Sequence, residues 1–138
     1  MKYLEKGCEL NDATGCDFIG KLYCGLDKLY LKKLKPDFER GLKYLEHGCN
    51  LEDKSHMFES SESCYAAAFV YIRMFKNFAK AAEYGAKACE MVNLHGCQVA
   101  SVAYKKLGDN ENSTKFENLY RKFKKQVEDN VNVEMQRT

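Results

Sequence analysis

Apolar residues recur at helical spacing along most of this chain. In residues 37–49, Phe38, Leu42, Leu45 and Cys49 stand at i, i+4, i+7 and i+11, which places them on one helical face. Pro36 precedes them, suited to a first helical turn. Residues 77–91 carry Phe78, Ala81, Ala82, Gly85, Ala88 and Cys89 on one side. A shorter stretch, 1–10, has the same character, so the chain begins inside a repeating pattern. Each of these helices, type A, is followed by a helix of type B. The B helices are predicted at 13–24, with Cys16, Ile19, Gly20 and Tyr23 in phase; at 64–75, with Cys64, Ala67, Ala68 and Tyr71; and at 97–107, with Cys97, Ala100, Ser101 and Tyr104. Gly25 and Gly108 stand where a left-handed residue ends a helix.

A last helix is predicted over 112–128. Thr114 and Glu117 form a capping-box pattern, and Phe116, Leu119, Tyr120, Phe123 and Val127 make an apolar stripe. Lys115, Arg121, Lys122, Lys124 and Lys125 form its opposite, basic face. The segment 129–138 offers no core positions and is expected to be disordered. Residues 28–35 read as a linker that packs through Leu29, Leu31 and Leu34, and 53–62 reads as a surface loop.

Seven cysteines change this picture from a set of helices to a repeat. Cys8 and Cys16, and again Cys89 and Cys97, are 8 residues apart, whereas Cys49 and Cys64 are 15 apart. The first members, at 8, 49 and 89, step by 41 and then 40 residues. Tyr3, Tyr44 and Tyr84 each stand five residues before a first cysteine, and Tyr23, Tyr71 and Tyr104 each stand seven after a second. A fixed period of this size is the mark of a helical repeat array. The expected frame is a partial first repeat over 1–27, a second over 36–75, a third over 76–108, and a cap over 112–128. The fold class expected is all-α, a right-handed α-solenoid of antiparallel helix pairs closed by a C-terminal helix that shields the last core face.

Composition excludes more than it assigns. A net charge of +2 is too small to imply a nucleic-acid partner. One proline and no tryptophan fit helices better than a turn-rich β fold. No apolar run approaches the length of a membrane span. The first residues lack the apolar core of a secretory leader. Seven cysteines are nonetheless many for a reducing compartment, which implies either a missing start or another route to an oxidising one.

The segment from Cys16 to Tyr23, with Gly20 and Tyr23, resembles the Sel1-like repeat, as does the segment from Cys97 to Tyr104 preceded by Ala86, Lys87, Ala88 and Cys89. The cysteine-stapled form is similar to two groups, the bacterial cysteine-rich Sel1 proteins called β-lactamase-like and the animal cytochrome c oxidase assembly factor 7 group. Residues 81–125 look closest to the second. The resemblance covers most of 1–128. Departures are the small number of repeats, the inserted 53–62 segment, and Ala68 and Ser101 where the first repeat has Gly20. The resemblance implies a non-enzymatic scaffold for a protein partner in respiratory-complex assembly, acting as a monomer in the mitochondrial intermembrane space. Its alternatives are a thiol–disulfide oxidoreductase or haem-handling protein, and a secreted bacterial repeat protein in an extracellular or periplasmic setting.

Three readings of the cysteine pairs stay open: disulfides, reduced apolar core residues, and metal ligands. The disulfide reading, Cys8–Cys16, Cys49–Cys64 and Cys89–Cys97, is the one taken forward, because the spacing repeats and each bridge would join an A helix to the next B helix. The pairs lack the tight spacing of structural zinc sites, so no metal is expected. Cys24 is left over and reads as a free, half-buried thiol, against a redox-active alternative. His47 and His95 each stand two residues before a cysteine, and His56 lies in the insertion; they read as exposed histidines, with haem the one cofactor they leave open. The basic face of the last helix reads as a solvated surface. No catalytic residue is assigned. No serine has lysine three residues on, and no phosphate loop or His-Glu-x-x-His motif occurs.

Overall fold

The structure, a computed structural model, describes residues 2–26, 35–51 and 54–137. The described residues form seven α-helices and no strand. They are α1 (Lys2–Glu9), α2 (Ala13–Tyr23), α3 (Phe38–Cys49), α4 (Met57–Val70), α5 (Phe78–Glu90), α6 (Leu94–Lys106) and α7 (Asn110–Arg137). A 3-10 turn, Lys54–His56, leads into α4, and a π turn, Tyr71–Phe75, leads out of it. Each helix packs on its neighbour in the chain, and α2, α4 and α6 also pack on one another in that order. The predicted linker, 28–35 with Leu29, Leu31 and Leu34, lies almost wholly outside the described residues.

Local chemistry sets the helix starts. The side-chain oxygens of Asp37, Asn77, Asn93 and Asp109 accept from the backbone N–H of Arg40, Lys80, Gly96 and Asn112 at 3.0–3.1 Å. The turns between α1 and α2 and between α5 and α6 use one set of backbone bonds. Asn11 N–H donates to Cys8 O and Asp12 N–H to Gly7 O; 81 residues on, Val92 N–H donates to Cys89 O and Asn93 N–H to Ala88 O. Both turns pass through a left-handed residue, Asn11 at φ 69° and Val92 at φ 63°. Asparagine suits that region, whereas a β-branched valine is strained there.

The core is a string of clusters, each built on one cysteine pair. Ile19 and Tyr44 surround Cys8 and Cys16. Leu45, Ala67, Ala68, Tyr84 and Ala88 surround Cys49 and Cys64. Ala100 and Phe116, with Leu119 and Phe123 partly buried, surround Cys89 and Cys97. The Cα–Cα distances within the pairs are 4.5, 4.6 and 4.5 Å, and all three are closed disulfides. Small residues set the spacing of the helices between them. A Cβ on Gly20 would meet Leu45 at 2.6 Å, and one on Gly85 would meet the Ala100 backbone at 2.9 Å.

Four sequence expectations are corrected. The segment 53–62 is not a loop throughout, since α4 begins at Met57 and its first turns bury Ser60, Ser61 and Ser63. Seven α-helical residues precede Cys64, against three before Cys16 and Cys97, so the insertion adds about one turn of α-helix and the 3-10 turn ahead of it. The B helix of that repeat does not stay α to Phe75; it widens to a π turn ended by Lys76 at φ 49°. The last helix starts at Asn110, capped by Asp109 rather than by a Thr114–Glu117 box. It also runs on to Arg137, so 129–137 is helical rather than disordered, and residues 129–136 are exposed.

Candidate functional site

The paired tyrosines of the frame form a repeated device. Tyr23 on α2 stacks on Tyr44 of α3, with centroids 6.0 Å apart and an interplanar angle of 13°. Its hydroxyl donates to Glu5 of α1, and Arg40 reaches the same carboxylate at 3.0 Å. Tyr71 stacks on Tyr84 of α5 at 6.0 Å and 9°, and its hydroxyl donates to Glu46 of α3. Tyr104 stacks on Phe116 of α7 at 5.5 Å and 10°. There the series changes, because Ala86 stands where Glu5 and Glu46 stand in the earlier frames. Burial, then the neighbouring carboxylate, pushes the Tyr23 phenol up to about 12 and raises the Tyr71 phenol as well.

The other member of each stack covers a disulfide. Tyr44, Tyr84 and Phe116 are 5 %, 6 % and 3 % exposed, each against the cysteine pair of the preceding frame. Tyr3 has the same place in the frame but is 90 % exposed. Sequence reasoning found the six tyrosines but not their partners. The signal was present: Tyr3-x-Glu5 and Tyr44-x-Glu46 repeat, and Tyr84-x-Ala86 breaks the series.

Cys24 is a free thiol and is buried, not half-buried, at 3 % exposure. It fills the space beside Gly41, where a Cβ would meet its Sγ at 2.3 Å. Burial pushes the thiol up to about 12, with Asp37 adding to the rise. A thiol protonated at neutral pH and closed off from solvent is a poor nucleophile. His95 lies against the Tyr65 ring at 5.3 Å, His47 bonds Asn11 through Nε2 at 2.9 Å, and His56 Nδ1 lies 3.0 Å from Ser55. His47 and His95 therefore serve different repeats and are not brought to one site.

The residues of α4 ahead of Cys64 create polar contacts that no spacing rule anticipates. Ser63 donates to Asp17 at 3.2 Å, and Asn93 Nδ2 donates to Ser61 O and Glu62 at 3.4 and 3.3 Å. Burial holds the Asp17 carboxyl above its usual range, against the pull of Lys21 at 3.1 Å. These bonds join α2, α4 and the α5–α6 turn.

Between α4 and α6 lies an open groove of about 330 Å³. Tyr65 and Phe69 of α4, at i and i+4, form one wall together with Ile72 and Arg73 of the π turn that follows. His95, Gln98, Val99 and Val102 form its α6 wall, at i, i+3, i+4 and i+7. Arg73 lies over the Phe69 ring at 5.6 Å, so its charge borders the apolar floor. An apolar trough with a cation and an amide at its rim has the chemistry to hold an amphipathic segment. A second groove of about 510 Å³ continues past Gln98 and Val102 toward Glu117 and Tyr120 of α7. Sequence reasoning missed both, because the residues facing out of a B helix carry no periodic mark once the inward face is also apolar. The basic face of α7 is exposed, and Arg121 pairs with Glu117 at 2.9 Å. No described helix is long and apolar enough to cross a membrane. Comparison of the chain with protein-family models, with curated proteins and with solved structures gives no match.

Proposed function

We propose that this protein is a non-enzymatic α-helical repeat scaffold that holds a segment of a partner protein in the groove between α4 and α6. The observation that carries the reading is that groove, whose Tyr65, Phe69, Val99 and Val102 are aligned at helical spacing on two rigid helices with Arg73 at the edge. Disulfides inside each helix pair keep such a surface preorganised, which lowers the ordering cost of binding. By the Sel1-like resemblance, the helix pairs stack as a solenoid. The partner belongs to respiratory-complex assembly, and the setting is the mitochondrial intermembrane space. Three disulfides fit an oxidising compartment of that kind, and a periplasmic or extracellular setting meets the same redox requirement.

The test is affinity capture from the intermembrane-space fraction with the unsubstituted chain, Val102→Glu and Lys43→Glu. Val102 is 49 % exposed, so a charge there leaves the core intact. The expected result is a partner captured by the chain and by Lys43→Glu and lost with Val102→Glu, at equal melting temperatures. Capture indifferent to Val102→Glu moves the site elsewhere. Disulfide reductase turnover abolished by Cys24→Ser overturns the scaffold reading in favour of a redox enzyme.

A further inference from the structure

The first disulfide differs from the other two in what lies against it. Three residues beyond each covering aromatic, the following helix presents one side chain toward the preceding cysteine pair. That residue is His47 after Tyr44, Lys87 after Tyr84 and Leu119 after Phe116. Lys87 reaches Asn50, beside Cys49, at 2.8 Å, and Leu119 packs in the Cys89–Cys97 cluster. Only at the first pair is this residue, a histidine, of a type that can ligate a soft metal ion. The Sγ atoms of Cys8 and Cys16 and a ring nitrogen of His47 all lie within 4.8 Å of one another.

We propose that Cys8, Cys16 and His47 form a redox-gated site for a thiophilic d10 cation, zinc(II) or copper(I). The site is closed while the disulfide is intact, because both sulfurs are bonded to each other. A dithiol reductant supplies two electrons and two protons, the S–S bond becomes two thiols, and the reductant leaves as its own disulfide. The cation then binds two thiolates and the imidazole, and the two thiol protons pass to solvent. Two sulfurs and one nitrogen satisfy three-coordinate copper(I), or leave zinc(II) a fourth position for water.

A separate contact already orients the imidazole. His47 Nε2 lies 2.9 Å from Asn11 Oδ1, and in the tautomer that carries its proton on Nε2 the lone pair is left on Nδ1. Ligating histidines are held by just such a bond from the non-ligating nitrogen. Asn11 is itself fixed by the left-handed turn that follows Cys8. The second pair has an ammonium at the equivalent place and the third an isobutyl group, so both serve as controls within one chain.

The test uses the full chain, fully reduced with a phosphine in the absence of air, and the oxidised chain beside it. Cobalt(II) titration, with zinc(II) displacement, reads the zinc arm through the thiolate-to-metal charge-transfer band. Competition with a chromophoric copper(I) chelator reads the copper arm. The reduced chain is expected to bind one ion of at least one of the two metals, and the oxidised chain neither. Asn11→Ala should weaken binding about tenfold, as loss of an orienting partner does. His47→Gln should weaken it further, while His95→Gln and His56→Gln leave it unchanged. Circular dichroism is recorded throughout, and metal should preserve or restore helicity in the reduced chain but not in His47→Gln. Binding equal in His47→Gln and the unsubstituted chain overturns the proposal. So does absence of binding by the reduced chain, folded or unfolded.

Discussion

At the scale of single residues, the structure turns a tyrosine pattern into a hydrogen-bonded one. Tyr23 and Tyr71 each donate to a carboxylate from their own repeat while stacking on an aromatic of the next. Their phenols are raised above the unfolded value near 10, so the folded state holds their protons more tightly. The stability this gives is complete below that value and is lost as pH climbs toward 12. Alkaline titration of the melting temperature should show that loss, and Tyr23→Phe should shrink it while costing about 1 kcal/mol at neutral pH. An alkaline limb unchanged in Tyr23→Phe would mean that the Glu5 bond does not carry it. Val92 gives a second prediction. It is half exposed and sits at φ 63°, where its counterpart in the first turn is asparagine. Val92→Asn should therefore stabilise by about 1 kcal/mol, read as a rise in denaturation midpoint.

At the scale of elements, what could be read from sequence divides along physical lines. Helices with one apolar face were legible: α3, α5 and the first half of α7 lie where Leu42, Leu45, Ala81, Ala88 and Phe116 place them. The start of α4 was not legible, because serines face its neighbours there and the helix is buried on several sides. The inserted residues divide between a 3-10 turn and one added turn of α4, and no apolar period marks either of them. The far half of α7 was missed for the opposite reason, since it is helical without a core to bury. Its two halves should then behave differently. Deleting 112–138 removes Phe116 from the Cys89–Cys97 cluster and should cause aggregation or a marked fall in melting temperature. Deleting 126–138 removes only exposed side chains among those described and should leave the melting temperature where it was. Equal effects of the two deletions would show that burial by Phe116 is not what the helix contributes.

At the scale of the whole molecule, the three disulfides and their covering aromatics form one logic. Each bridge ties a helix pair, and the next helix to arrive buries it. The candidate groove was the least legible feature, since it depends on the outward faces of α4 and α6 meeting. The bridges depended only on cysteine spacing and were the most legible. Each 8-residue loop stabilises by roughly 2–3 kcal/mol on the chain-entropy account. Cys8→Ala with Cys16→Ala should cost about that much and leave the α4–α6 groove in place. The central claim is that every bridge is local to its helix pair and that Cys24 is a closed-off thiol. Alkylation of the native, oxidised protein followed by peptide mapping without reduction tests it most directly. The account predicts Cys8–Cys16, Cys49–Cys64 and Cys89–Cys97 peptides, with Cys24 labelled only after denaturant is added. A bridge crossing from one repeat to another, or rapid labelling of Cys24 in the folded protein, would contradict it.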